Sequence, residues 1–330
     1  MRNRATSLQS IALVGSALEQ MGRGTADELE QARITLESAL HLDPNYPAAS
    51  VAMAQWLMQA GQGVSIPSTR SRVDGLLIHA LTQDPDSAAA FALRAALACG
   101  DYDWPACLAD IQQALSLAPA DAQVQSQAAR LYLMLGAPDR SANAARRWVR
   151  SEPDSARAWH ALAQALINAG QTAAALDIAA SASARFPDFA PLWQTRALAL
   201  QLLQRCPEAV AALERALELE PPNAGAASVY ACAGQPERVH QLLRSQQRLI
   251  AMGDPVDLMS VAVTQLALGQ KEAALATLES MYQNRDANLL PWITQPQHGI
   301  AQLAGQPRLI ELIDQLHLPE GALRWQARQP

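Results

Sequence analysis

The chain has 330 residues, a formal net charge of −6, 50% hydrophobic residues and only 5% aromatic ones. Alanine, the strongest helix former, fills 67 positions, while valine and isoleucine are too sparse and too rarely alternate with polar residues to form strands. The composition therefore predicts an all-α protein. The acidic balance argues against a nucleic-acid-binding surface, because such a surface needs a basic stripe. Arg146, Arg147 and Arg150 form the one dense basic run, which we expect to be a solvated helix face.

The first twenty residues imitate a signal peptide, since Arg2 and Arg4 precede the apolar residues 11–14. Polar residues interrupt this run, Glu19 closes it and no good small-x-small cleavage site follows, so we expect an amphipathic first helix instead. Because no apolar run approaches 18 residues, the sequence predicts no membrane span.

A period of 34 residues runs through the middle of the chain. Five evenly spaced prolines mark it, namely Pro85, Pro119, Pro153, Pro187 and Pro221. Pro44 precedes Pro85 by one period plus a seven-residue insertion. Small residues occupy the positions twelve and five before most of these prolines, and a larger apolar residue often lies eight before. These positions share one face of a helix, which must therefore approach a neighbouring helix closely.

Each unit of the period reads as a helix, a turn and a second helix. Glycines end the first helix in four units, namely Gly61, Gly136, Gly170 and Gly234. Prolines near the start of the second helix fit its first turn, and the proline of the 34-residue period ends that helix because it has no N–H to donate.

This pattern resembles the tetratricopeptide repeat, whose large first-helix position is filled here by Trp159 and Trp193. The resemblance implies a right-handed α-solenoid over residues 1–286 and a C-terminal helical capping segment over 287–330. The predicted repeats are 8–46, 47–87, 88–121, 122–155, 156–189, 190–223, 224–254 and 255–286. Trp148 departs from the pattern at a small position, and the repeat after Pro221 has a shortened first helix.

A narrower resemblance rests on the insertion in the second unit, on "YDW" in the third and on the ending from "LGQKEAALATLESMYQ" to "IDQLHLPE". These features look like the repeat-rich C-terminal regions of bacterial signalling proteins, which follow an OmpR-like winged-helix, nucleotide cyclase or protein kinase domain. Nothing in this chain matches such a domain itself.

The stretch "GDYDWPACLADIQQAL", residues 100–115, looks at first like a reactive cluster. Within the repeat, however, Cys107 occupies a small position, Asp103 is a candidate helix cap, and Tyr102 falls where other units have their turn glycine. We therefore expect the elbow of a repeat. The four cysteines have unrelated spacings, which predicts neither a disulfide framework nor a metal site and favours a reducing compartment. A bond between Cys99 and Cys107 stays open if the protein is exported.

The sequence contains no motif typical of a catalytic or metal-binding site. No two of the six histidines lie three or four residues apart, and there is neither an H-E-x-x-H nor a G-x-S-x-G motif. We predict no catalytic residue, no metal and no cofactor.

Stacked repeats expose a concave wall of first helices, where such solenoids hold their partners. The residues expected to face this wall and bind a partner are Gln123, Ser126, Arg130, Arg157, His160, Gln164, Gln194 and Gln201. Arg130, Arg157 and His160 would form a modest basic patch that takes an acidic segment or a C-terminal carboxylate. The alternative is an ordinary solvated face, with His160 packed and hydrogen-bonded beside Trp159.

The sequence thus predicts a non-catalytic protein-interaction module, the sensory or regulatory part of a bacterial signalling or transcription protein in the cytoplasm. An alternative is a stand-alone adaptor or chaperone in secretion or assembly. A third class is an enzyme whose groove binds a small molecule. The alternative location is the periplasm, as the exported domain of a membrane-anchored regulator.

Overall fold

The computed structural model describes residues 7–23, 25–59, 67–220, 225–254, 256–286, 289–294 and 299–323, and every regular element in them is helical. The chain divides into two compact units, one up to Pro119 and one from Ala120 onward. In the first unit the helices are α1 Leu8–Arg23, α2 Ala26–Leu42, α3 Pro47–Gln59, α4 Pro67–Gln83, α5 Ala88–Gly100 and α6 Trp104–Leu117.

The second unit continues the same alternation. Its helices are α7 Ala122–Met134, α8 Pro138–Ser151, α9 Ala156–Asn168, α10 Thr172–Arg185, α11 Ala190–Leu202, α12 Cys206–Leu217, α13 Gly225–Cys232, α14 Pro236–Met252, α15 Leu258–Ala267, α16 Lys271–Gln283, α17 Leu289–Ile293 and α18 Pro307–Gln315, with a 3₁₀ helix Ile300–Leu303 between the last two. Odd and even helices pack as adjacent antiparallel pairs, so the predicted α-solenoid architecture is confirmed.

From α5 onward, the turn inside each described helix pair contains a residue with positive φ. Gly136, Gly170 and Gly234 adopt φ of 65°, 76° and 66° as the sequence predicted, because glycine has no Cβ to clash in this region. Tyr102 and Gln204 take the same place with φ of 63° and 60°. The elbow interpretation of residues 100–115 is therefore confirmed, and Asp103 caps α6 by accepting a hydrogen bond from the Ala106 N–H.

Small residues on the second helices allow the close helix contacts. Ala175 and Ala182 of α10 are 0% and 3% exposed, and Ala209 and Ala216 of α12 are fully buried. These are the positions twelve and five before the period prolines. A larger side chain there would overlap the neighbouring helix, since the interior is close-packed.

The tryptophans at the large first-helix position tie consecutive repeats together. Nε1 of Trp159 donates to the carbonyl of Pro153 at 2.8 Å, and Nε1 of Trp193 donates to the carbonyl of Pro187 at 3.0 Å. Each bond anchors a first helix to the turn that closes the preceding repeat. Trp148, which departs from the small-residue pattern, is half-buried, and its Nε1 donates to Glu152.

The C-terminal segment folds back inside the second unit. The four large apolar side chains of α17 are at most 4% exposed, and α17 contacts both α16 and α7. Farther along, Ala322 lies against the turn after α7, where a Cβ on Gly136 would come within 2.0 Å of the Ala322 carbonyl oxygen. The sequence did not indicate this return to α7.

The expectation that the cysteines form no disulfide framework was wrong. All four are bonded, Cys99 to Cys107 and Cys206 to Cys232, with Cα atoms 5.2 Å and 5.6 Å apart. The first bond closes the elbow between α5 and α6, and the second joins the start of α12 to the end of the next first helix, α13. Spacing along the chain could not reveal the second pair, because the fold brings together residues that are 26 positions apart.

Several predicted features lie outside the described residues. These are the glycine turn at Gly61, the period proline Pro221 and the helix start at Pro255.

We predict that Ala182→Arg lowers the free energy of unfolding by about 3 kcal/mol or more, because it forces a charged side chain into a close helix contact. Ala184, which is exposed on the same helix, supplies the control Ala184→Arg. Urea unfolding followed by circular dichroism measures both variants. Equal stability of the two variants would show that the repeat register is wrong.

Removing the Cys206–Cys232 bond by a double Cys→Ser substitution should destabilise the protein by about 1 kcal/mol more than removing Cys99–Cys107. The Cys206–Cys232 bond joins residues 26 positions apart, whereas Cys99–Cys107 joins residues 8 positions apart. A longer closed loop restricts the unfolded chain more. Calorimetry of both variants tests this order, and a larger loss for the Cys99–Cys107 variant would contradict it.

Candidate functional site

The first helices of three consecutive repeats, α7, α9 and α11, lie side by side in the second unit. Their buried sides carry apolar residues such as Leu131, Leu162 and Leu192. The side chains predicted to bind a partner lie at other positions of these helices. We call the surface formed by those eight predicted residues the first-helix surface.

Arg130 is the central cation of the first-helix surface. It is exposed to solvent, yet many protein atoms surround its guanidinium, and this burial lowers its pKa because it penalises the charged form. Nη2 donates to Oε1 of Gln127 at 3.0 Å, and Nη1 contacts Sδ of Met134 at 3.5 Å. Within the described part of the chain no carboxylate pairs with this guanidinium.

Arg157 and Gln164 on α9 are exposed as well. Arg157 makes no ion pair with any described carboxylate. Two guanidinium groups on neighbouring helices thus keep their charge available for an anionic ligand, and planar guanidinium groups suit carboxylates because two N–H donors match two oxygens.

His160 does not add to this charge. Its Nδ1 lies 3.0 Å from Oγ1 of Thr195, and the Thr195 hydroxyl donates to the carbonyl of Pro191 at 2.9 Å, so the ring supplies the hydrogen of the shared bond. Burial lowers the pKa of His160 to about 4, against a smaller opposing effect of the Pro191 carbonyl. His160 is therefore neutral at pH 7, which agrees with the packed alternative and reduces the predicted basic patch to its two arginines.

The four remaining predicted residues, Gln123, Ser126, Gln194 and Gln201, are half-buried. Gln201 lines a separate cavity of about 320 Å³ together with Gln204, Ser228, Leu266 and Gln302. Cys232 lines the same cavity. Thr195, which fixes His160, was missed because a threonine in a helix gives no sequence signal of its own.

Helix α17 contacts α7, the first helix that carries Gln123, Ser126 and Arg130. Ile167, near the end of α9 on the row expected to face the partner, is only 4% exposed. The exposed members of the first-helix surface are Arg130, Arg157 and Gln164.

Metal chemistry has no geometric basis in the described residues, where His, Cys, Asp and Glu nowhere gather in threes. Likewise, none of the described helices has both the length and the apolar character needed to cross a bilayer.

Residues 156–199 match the family model described as tetratricopeptide repeat. The fold is a tetratricopeptide-repeat (TPR) solenoid. Yeast Tom70 matches with a TM-score of 0.52 at 13% identity, over 95% of this chain and 69% of Tom70. TPR scaffolds are interaction modules and typically non-catalytic, which is the class of function the sequence predicted.

Two further solved structures have lower scores. Pseudomonas aeruginosa PilF matches with a TM-score of 0.48 at 15% identity, over 67% of this chain and 96% of PilF. PilW, a type IV pilus biogenesis factor, matches with a TM-score of 0.48 at 15% identity, over 81% of this chain and 98% of PilW. No curated protein matches the sequence. At these identities the likeness is one of fold.

The lowered pKa of His160 predicts a pH-dependent stability. Below pH 6.5 the unfolded chain binds a proton at this residue while the TPR fold does not, so His160 should destabilise the protein as the pH falls from about 6.5 to about 4. Between pH 6.5 and 4.5 the loss should be about 2 kcal/mol.

The variant His160→Gln keeps a neutral hydrogen-bonding side chain and should remove this part of the pH dependence. Urea unfolding at both pH values measures it for the two proteins. Parallel losses in the variant and the parent would contradict a neutral, buried His160.

Proposed function

We propose that this TPR protein is an adaptor in secretion or assembly that binds an acidic peptide segment, or a C-terminal carboxylate, of a partner protein on the first-helix surface. The observation that carries the proposal is the pair Arg130 and Arg157. Both are exposed on adjacent first helices and neither is paired with a described carboxylate.

The described partners of Arg130 carry no charge. Its guanidinium donates to an amide oxygen and contacts a thioether sulfur. A carboxylate would bring the opposite charge and can accept two N–H donors of one guanidinium at once. Binding of an anionic group therefore adds an ion pair that Arg130 does not have in the free protein.

The compartment that we propose is an oxidising one outside the cytoplasm. All four cysteines are disulfide-bonded, and such bonds persist where glutathione and thioredoxin do not reduce them. The pattern supports export over the cytoplasmic location expected from the sequence, and over a protein that works with free thiols.

A role as the regulatory part of a signalling protein predicts a further domain encoded next to the repeats. If the repeats served a bacterial signalling or transcription protein, the reading frame upstream of Met1 would encode a winged-helix, cyclase or kinase domain. Neither the family match nor the fold similarity favours such a role over that of an adaptor.

We predict that the double variant Arg130→Ala/Arg157→Ala weakens binding of a fluorescein-labelled decapeptide that ends in two glutamates and a free carboxylate by about tenfold, or 1.4 kcal/mol. Fluorescence anisotropy at low salt measures the affinity. An amidated twin of the peptide separates recognition of the terminal carboxylate from recognition of the glutamates.

Arg244→Ala/Arg248→Ala is the matched control, because these two arginines are exposed on α14 and removing them changes the net charge equally. Unchanged affinity in the first-helix double variant, or an equal loss in the control, would refute the first-helix surface as the site.

A further inference from the structure

Helix α8, the second helix of its repeat, exposes an arc of cations. Arg140, Arg147 and Arg150 are exposed and Arg146 is half-buried beside them. Arg146, Arg147 and Arg150 follow Arg140 by six, seven and ten residues. At 3.6 residues per turn, these spacings place all four on about one third of the helix circumference. We call these four residues the α8 stripe. Asp139 is the sole carboxylate of α8, so the stripe region carries a net charge of +3, four arginines less one aspartate.

The α8 stripe gathers on one helix four arginines that form no ion pair with a described carboxylate. Eight arginines elsewhere form ion pairs with carboxylates, namely Arg33, Arg70, Arg94, Arg185, Arg205, Arg215, Arg238 and Arg308. In the described structure no ion pair involves a member of the stripe: Arg140 lies over the ring of Tyr132, and Arg146 donates to Oδ1 of Asn143.

Apart from Asp139, the nearest carboxylates along the chain have other partners. Glu152 accepts a hydrogen bond from Nε1 of Trp148, and Asp154 pairs with Arg185. In a protein with a net charge of −6, such a concentration of uncompensated cations repels itself and gains from an external anion.

The surroundings of the stripe favour a peptide over a membrane or a nucleic acid. The described residues between Ile78 and Leu203, which include the stripe, have no large hydrophobic side chain that is exposed. This region therefore has no apolar side chain that could enter a bilayer. Tyr132 is only 7% exposed and lies under Arg140, and Trp148 is half-buried, so neither ring offers bases an exposed aromatic platform.

We propose that the α8 stripe is a second docking surface, which binds a short acidic segment of a partner protein. Arg140 and Arg150 are ten residues apart, or about 15 Å along the helix. An extended acidic segment of about five residues spans that distance. Several carboxylates can therefore meet guanidinium groups at once, without any groove. The stripe lies on a second helix and does not depend on the first-helix surface.

The test uses the whole 330-residue chain and a fluorescein-labelled deca-glutamate peptide that is acetylated and amidated, so that the peptide lacks terminal charges. We expect Arg147→Glu/Arg150→Glu to weaken binding at least tenfold at low salt. Both side chains are exposed, so thermal unfolding should be nearly unchanged and serves as the check on folding. Arg244→Glu/Arg248→Glu on α14 changes the charge equally and should lower affinity by less than about threefold, through long-range repulsion alone.

Two results would overturn the proposal. One is an equal loss in the α14 control, which would mean that the peptide senses only net charge. The other is binding of phosphatidylglycerol vesicles, but not of the peptide, through Arg147 and Arg150, which would make the stripe a membrane surface. Arg130→Ala/Arg157→Ala, measured with the same probe, distinguishes the two surfaces: this variant should retain the share of deca-glutamate affinity that Arg147→Glu/Arg150→Glu removes, whether or not the first-helix surface also binds the peptide.

Discussion

The close contact between helices at small residues is the constraint on which this structure depends. Alanines such as Ala175, Ala182, Ala209 and Ala216 are almost fully buried, and they let each second helix approach its neighbours to a distance that a larger side chain would prevent. Because the contact recurs every 34 residues, the same helix pair is repeated with the same orientation. The turn residues with positive φ and the tryptophan bonds to the closing turns then fix the orientation of each pair.

This packing also determines where binding residues can lie. Once alanine, leucine and tryptophan fill the inner sides of the helices, the polar and charged residues remain on the outside, on first and second helices alike. Eight of the described arginines form ion pairs with carboxylates. Arg130 and Arg157 on first helices and the α8 stripe on a second helix do not, and the stripe is distinguished from other unpaired arginines because its four cations share one arc of a single helix.

The fold itself was readable from the sequence, whereas much of the site was not. The alanine-rich composition, the five prolines and the turn glycines are local signals, because each acts through backbone geometry within one repeat. The protonation of His160 could not be read in this way, since it depends on Thr195, a residue of the next repeat 35 positions away. For the same reason the sequence could not show that His160 is neutral and contributes no charge beside Arg130 and Arg157.

The sequence by itself determined the helix pairs, their period, the small contact positions and the elbow at residues 100–115. The tertiary structure alone decided which cysteines bond, how the C-terminal segment returns to α7 and which arginines lack a partner. These features depend on distances between residues that are far apart in the chain. A periodic pattern specifies how each repeat meets the next one, but it does not specify contacts that skip several repeats, and α17 against α7 is such a contact.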